Sequence, residues 1–189
     1  MDGTFYLGSH LLPGAFGFIE YLKQKEINYL FLTNNSSRSS KEYATKIKKL
    51  GVDVDQDRIF TSGQAAALFL ENKKPGSRIY LVGTKELAYD FEMRGFELVE
   101  NEPDFAILGF DTSLTYEKLR KICDFIRHGI TYIATHPDIN CPTDTGFMPD
   151  IGATIAFIEA STGKKPDIII GKPHRPIVDI IVSKYGVPS

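Results

Sequence analysis

The chain has 189 residues, of which 42% are apolar and 24% charged, with a formal net charge of -2. This is the composition of a globular protein with a sizeable core, and it excludes a chain held open by low hydrophobicity and high charge. The small net charge removes the basic face that would point to nucleic acid, and no apolar run approaches the roughly 18 residues a membrane span needs. The two cysteines, Cys123 and Cys141, form neither a C-x-x-C pair nor a zinc-type cluster. No basic segment followed by an apolar one opens the chain. Together these predict a reduced, cytoplasmic setting.

Ala15, Phe18, Ile19 and Leu22 recur at helical spacing after Pro13 and Gly14, and the apolar run Asn28 to Leu32 then reads as a buried strand. Ser39 with Glu42 has the form of a capping box, opening a helix that should stop at Gly51. Ile59 and Phe60 form a short strand, and Thr61 with Gln64 repeats the capping pattern. The alternation continues with a strand over Ile79 to Val82, a helix over Lys85 to Met93 and a strand over Phe105 to Leu108. Leu119, Ile122, Cys123 and Ile126 mark one face of the next helix. Tyr132 to Ala134 reads as a strand, Ile151 to Glu159 as a helix, Ile168 to Ile170 as a strand, and Ile177 to Ile181 as a helix closed near Gly186. Alternating strands and helices predict an α/β protein with mainly parallel sheets.

Three stretches stand out chemically. Asp2-Gly3-Thr4 places a carboxylate before a glycine that can turn sharply, although by itself it has the composition of an ordinary turn. The strand Leu30 to Leu32 ends in five hydroxyl or amide side chains, Thr33 to Ser37. At the carboxyl end of a strand in an open α/β sheet such groups can surround an anion, or simply lead into the next helix. Gly171-Lys172-Pro173 follows another apolar strand and would set an ammonium at such an edge. It is not a P-loop, because Pro173 stands where Ser or Thr is required.

Taken in order, D-G-T, T-N-N-S-S and G-K-P resemble three of the four motifs of the haloacid dehalogenase (HAD) superfamily. Leu108-Gly109-Phe110-Asp111, with Tyr116 and Leu119, and Ala134-Thr135-His136-Pro137-Asp138 extend the resemblance to the NagD-like, 4-nitrophenylphosphatase-type branch over essentially the whole chain. The resemblance implies a Rossmann-like core, incomplete here, carrying a large inserted α/β cap of the C2 type. The core would comprise residues 1–63 and 166–189, and the cap residues 64–165, an insert of about 100 residues and so of domain size.

The activity implied is Mg²⁺-dependent hydrolysis of small phosphate monoesters through an aspartyl-phosphate. Asp2 would be the acid/base, its backbone carbonyl helping to hold Mg²⁺; Thr33 and Asn34 would bind the phosphoryl group; Lys172 would neutralise its charge. In the family's D-x-D-G-T motif the first aspartate is the nucleophile. Met1 occupies the x position, so the resemblance puts the nucleophile and its strand ahead of Met1 and the acidic fourth motif beyond Ser189. The expectation is therefore a piece of a longer phosphatase, inactive alone, with a core less firmly packed than its cap. His136, Asp138, Asn140 and Cys141, in the loop from His136 to Gly152, would help to choose the substrate, or that loop is a rigid connection. Cys123 reads as core packing, and His10, His128 and His174 as solvent-facing. The implied partners are a small phosphorylated metabolite and a second copy joined through the cap, with no nucleic acid and no membrane. The alternatives are a non-catalytic phosphometabolite-binding protein and a phosphoryl transferase or mutase sharing the covalent step.

Overall fold

A computed structural model describes residues 1–186; the segment Val187-Pro188, expected to precede the fourth motif, lies outside them. The chain opens with a short antiparallel hairpin, β1 (Tyr6–Leu7) and β2 (His10–Leu11), that the apolar pattern did not announce because each strand has two residues. Helix α1 (Ala15–Gln24) leads to β3 (Phe31–Thr33), and α2 (Ser40–Lys49) leads through a 3-10 turn at Gln56–Arg58 to β4 (Ile59–Thr61), which pairs in parallel with β3. Both predicted capping boxes form: Ser39 with Glu42 opens α2, and Thr61 with Gln64 opens α3 (Ser62–Lys73).

The remainder builds a second sheet: β5 (Arg78–Val82), α4 (Lys85–Glu92), β6 (Glu97–Leu98), β7 (Phe105–Leu108), α5 (Tyr116–Arg127), β8 (Thr131–Ala134), the hairpin β9 (Asn140–Thr143) and β10 (Gly146–Pro149), α6 (Ile151–Thr162), β11 (Ile168–Ile169) and α7 (Arg175–Tyr185). Five strands pair in parallel in the order β11-β8-β7-β5-β6. Its central strands are apolar on both faces because both are covered, as parallel sheets require. Ile79, Ile107 and Ile133 pack with residues of α3, α4 and α7, among them Leu70, Leu87, Phe91 and Ile177. Tyr80, Ala106, Leu108 and Tyr132 alternate to the other face against Ile122, Cys123, Ile126 and Ile158 of α5 and α6.

The expected division at residue 166 falls just before a strand of the five-stranded sheet. The strand assigned to the core, β11, pairs with β8 and forms the edge of the five-stranded sheet. It pairs in register Ile168 with Ile133 and Ile169 with Ala134. Phe60 of β4 and Ile177 and Ile180 of α7 share an apolar cluster with the five-stranded sheet, while Phe5, Tyr6, Ile19, Tyr43 and Ile59 form a separate cluster around β3 and β4. Among the described residues no helix is long and apolar enough to cross a membrane. Ile177, fully buried in the shared cluster, tests the continuity. Ile177→Ala is expected to cost about 2–5 kcal/mol in denaturant unfolding. The shift should appear in a transition followed from a probe on β7, not only in one followed from α7.

Candidate functional site

The loop behind β3 is polar yet buried at Asn34, Ser36 and Ser37, so its donors and acceptors need partners. It finds them at the carboxyl ends of strands in the other sheet. The Ser36 hydroxyl lies 2.9 Å from the Thr135 hydroxyl, just past β8, and accepts from the Phe110 N–H, just past β7, at 2.9 Å. The Thr84 hydroxyl, past β5, donates to the Ser37 carbonyl at 3.0 Å. Ser62 donates to the Asn34 carbonyl. The two sheets thus meet carboxyl edge to carboxyl edge, the placement at which α/β proteins bind ligands.

Asn34 makes a further connection through its carboxamide. Its Oδ1 accepts from the Lys172 N–H at 2.8 Å and its Nδ2 donates to the Lys172 carbonyl at 2.9 Å, so the carboxamide imitates a strand partner for the Lys172 backbone. Nδ2 also donates to both oxygens of Asp138, at 3.0 and 3.1 Å. Gly171 is required here, since a Cβ at that position would lie 2.7 Å from Asn34 Oδ1 and 2.8 Å from the Thr135 carbonyl. Lys172 is exposed, with Nζ 3.4 Å from the Leu32 carbonyl.

Asp2 has its own partners. Tyr6, fully buried, donates its hydroxyl to Asp2 Oδ2 at 3.2 Å, and Lys46 of α2 brings Nζ to 3.5 Å from Oδ1 while lying 4.0 Å above the Tyr6 ring. Burial first, then Asp2, drive the Tyr6 phenol well above its ordinary value, so this hydroxyl stays a donor. Asp2 lines a cavity of about 380 Å³ together with Asn35, Ser37, Arg38, Lys46, Thr84 and Cys141. The tips of two hairpins meet at its rim: a Cβ on Gly8, in the β1–β2 turn, would overlap the carboxylate of Asp144, in the β9–β10 turn. Lys172 borders a neighbouring, more apolar cavity with Met1, Thr4 and Leu32.

The expected site residues therefore separate into groups. Asp2 and Cys141 reach the cavity of about 380 Å³, where burial pushes the Cys141 thiol up. Thr33 is buried, and its hydroxyl accepts from the Asn35 N–H at 3.3 Å. Asn34 commits its carboxamide to Lys172 and Asp138, leaving backbone rather than side chain for an anion. His136, expected at the substrate, is fully buried between Asp138 and Asp150 and is not among the residues that line the Asp2 cavity; the apolar strand that precedes it carries it inward. Asn140 is exposed at the start of β9, and the loop expected from His136 to Gly152 folds as a hairpin, Pro142 and Pro149 included. Arg38, Lys46, Thr84 and Tyr6 escaped sequence reasoning. Arg38 directly follows the hydroxyl-rich run, but nothing local marks Lys46, whose direction is set by the packing of α2 on Tyr6.

His136 and Asp150 form a buried pair, Nε2 3.5 Å from Oδ1, and Nε2 has no hydrogen-bond partner among the described residues. Burial acts on them in opposite senses, holding the imidazole down at about 4 and pushing the carboxyl up to about 7.

Among the described residues no three His, Cys, Asp or Glu side chains gather closely enough to hold a metal ion. Asp2 is held by Lys46 and Tyr6, and Glu42 by the cap of α2. These residues do not fit Mg²⁺ by themselves, because the ion demands near-octahedral oxygen ligation.

Comparison with known proteins gives the class of this parallel α/β fold. The sequence profile of haloacid dehalogenase-like hydrolases matches residues 1–97. An acid sugar phosphatase of Staphylococcus haemolyticus is 35% identical over 181 residues, 95% of this chain and 68% of that protein. The structure of a 4-nitrophenylphosphatase from Thermotoga maritima superposes with a TM-score of 0.94 at 50% identity, covering 100% of this chain and 72% of that one. A glycerol phosphate phosphatase from Mycobacterium tuberculosis, in complex with magnesium, superposes with a TM-score of 0.91 at 30% identity over 100% of this chain and 58% of that one. The chain belongs to the haloacid dehalogenase-like hydrolases, in their NagD-like phosphatase branch.

The buried pair gives a pH signature. His136, with its pKa depressed, contributes stability that is present above its unfolded value of 6.5 and lost as pH falls through about 4. Asp150, with its pKa raised, contributes stability that is present below 3.8 and lost as pH rises through about 7. Their slopes oppose each other between about pH 4 and 6.5. Relative to the parent, Asp150→Asn is expected to lose thermal stability as pH is lowered across that window. His136→Gln is expected to lose it as pH is raised. Parallel melting curves for all three proteins would contradict the assignment. Because no carboxylate cluster forms among the described residues, calorimetric titration of the 189-residue chain with MgCl₂ is expected to show binding no tighter than about millimolar.

Proposed function

We propose that these residues bind and help to hydrolyse phosphate monoesters of small metabolites, with Asp2 as the group that moves the proton. Asp2 would protonate the leaving ester oxygen and then take a proton from the attacking water, held in place by Tyr6 and Lys46. The exposed ammonium of Lys172 and the backbone N–H groups at the end of β3 would hold the phosphoryl oxygens. The observation that carries this reading is the position of Asp2 in the wall of a cavity of about 380 Å³, at the edge where the two sheets face each other. The volume and mixed lining suit a small substrate.

The reading assigns to these residues phosphate binding and proton transfer. The attacking carboxylate and the carboxylates that complete a Mg²⁺ site belong to motif positions outside residues 1–189, so turnover by these residues alone is expected to be negligible. A reducing, cytoplasmic setting is part of the reading and is supported by the unpaired Cys123 and Cys141.

The test is phosphate release from a panel of sugar phosphates, nucleoside monophosphates and 4-nitrophenyl phosphate with Mg²⁺. It is run on residues 1–189 alone and on the same residues with their flanking coding sequence. In the active form Asp2→Asn is expected to lower kcat by roughly 10²–10⁴-fold. Undiminished turnover in that variant would remove Asp2 from the mechanism. Phosphate binding without turnover in every form would favour the binding-protein alternative.

A further inference from the structure

We propose that Asp138 is a positioning residue for the anion site, holding the Asn34 carboxamide in the orientation that fixes the Lys172 backbone and so the base of the Lys172 side chain. The inference rests on the reading of Lys172 and the β3 end as the phosphate site. It assigns Asp138 a role different from substrate contact.

The two ends of the Asn34 carboxamide are not interchangeable. Turned by 180°, the group would set its NH₂ against the Lys172 N–H and its oxygen against the Lys172 carbonyl, exchanging two hydrogen bonds for two repulsions. Lys172 alone favours the observed orientation, with Oδ1 toward its N–H at 2.8 Å and Nδ2 toward its carbonyl at 2.9 Å. Asp138 adds to this preference. Its two oxygens accept from Nδ2 at 3.0 and 3.1 Å, and the flipped carboxamide would face that carboxylate with its own oxygen. Such charge-assisted bonds are about twice as strong as neutral ones. Asp138 is itself anchored: its carbonyl accepts from the Gly152 N–H at 2.8 Å, and its N–H points to His136 Nδ1 at 3.4 Å. It sits between β8 and β9, so the hairpin that lines the Asp2 cavity is tied through Asn34 to the lysine at the neighbouring one. Groups that orient metal ligands change affinity or activity roughly 10- to 100-fold when removed, and an effect at the lower end of that range is expected for this support.

Charge and position make opposite demands on the experiment. A carboxylate near an anion site, acting only as a charge, weakens phosphate binding, so removing it would tighten binding. Acting through Asn34, its removal weakens binding. The probe is inorganic phosphate, titrated by calorimetry into the full 189-residue chain and into Asp138→Ala, Asp138→Asn, Asn34→Ala, Lys172→Ala and the Asn34→Ala/Asp138→Ala double variant. The side-chain amide signals of Asn34 are followed by NMR. The expected result is a roughly tenfold weaker Kd in Asp138→Ala and an intermediate value in Asp138→Asn, which retains one acceptor oxygen. The Asn34 amide signals should shift in both, and the double variant should be no weaker than Asn34→Ala.

Tighter or unchanged phosphate binding in folded Asp138→Ala or Asp138→Asn overturns the proposal, as does full additivity in the double variant. If Asp138→Ala fails to fold, Asp138→Asn carries the same sign test. Phosphate binding that Lys172→Ala leaves intact, or none by the parent chain, overturns the anion-site reading itself. That outcome is distinct because it does not depend on position 138.

Discussion

The hydrogen bonds of the loop behind β3 set the relation between the two sheets. That loop carries hydroxyls and amides into a buried position, where an unpaired polar group costs about 1–3 kcal/mol. The cost is avoided because Ser36, Ser37 and Asn34 meet groups at the ends of β5, β7, β8 and the segment after β11. Each of those partners is a backbone group or short side chain in the first residues past a strand. Only an edge-to-edge meeting of the two sheets satisfies them together.

This arrangement makes the site a property of the junction. The Asp2 wall belongs to the opening turn, Lys46 and Arg38 to α2 and its approach, Cys141 and Asp144 to the hairpin, and Lys172 to the turn into α7. None of these elements contains the site alone. The shared apolar cluster, in which α7 and β4 pack with the five-stranded sheet, holds the contributors in register. The polar loop decides which groups face each other, and the apolar cluster keeps them there.

The same junction explains why neighbours in the sequence have different roles. Thr135, His136 and Asp138 follow one strand within four residues, yet Thr135 bonds Ser36, His136 is paired with Asp150 in the interior, and Asp138 reaches Asn34. Alternation sends Thr135 and His136 to opposite sides, the loop behind β3 and the N-terminus of α6, and Asp138 returns to the loop because the chain has left the strand after Ala134. Two buried ionised groups are costly to desolvate, and burial drives both the imidazole and the carboxyl of this pair toward their neutral forms. The place of His136 beside the N-cap of α6 couples that helix to the hairpin.

The sequence by itself determined the alternation of strands and helices, both capping boxes, the apolar faces of the central strands and the strand-end positions of Thr33, Asn34 and Lys172. These follow from short-range periodicity and from hydrogen bonds between residues three apart, which a linear reading contains. Only the tertiary structure decided that β11 joins β8, that the Asn34 carboxamide is consumed by Lys172 and Asp138, that His136 is buried away from the cavity, and that Lys46 and Arg38 enter its wall. Each depends on a partner far along the chain, with 104 residues separating Asn34 from Asp138 and 138 separating it from Lys172. A side chain's local sequence states which bonds it can make; the fold, by bringing distant strand ends to one edge, states which it does make.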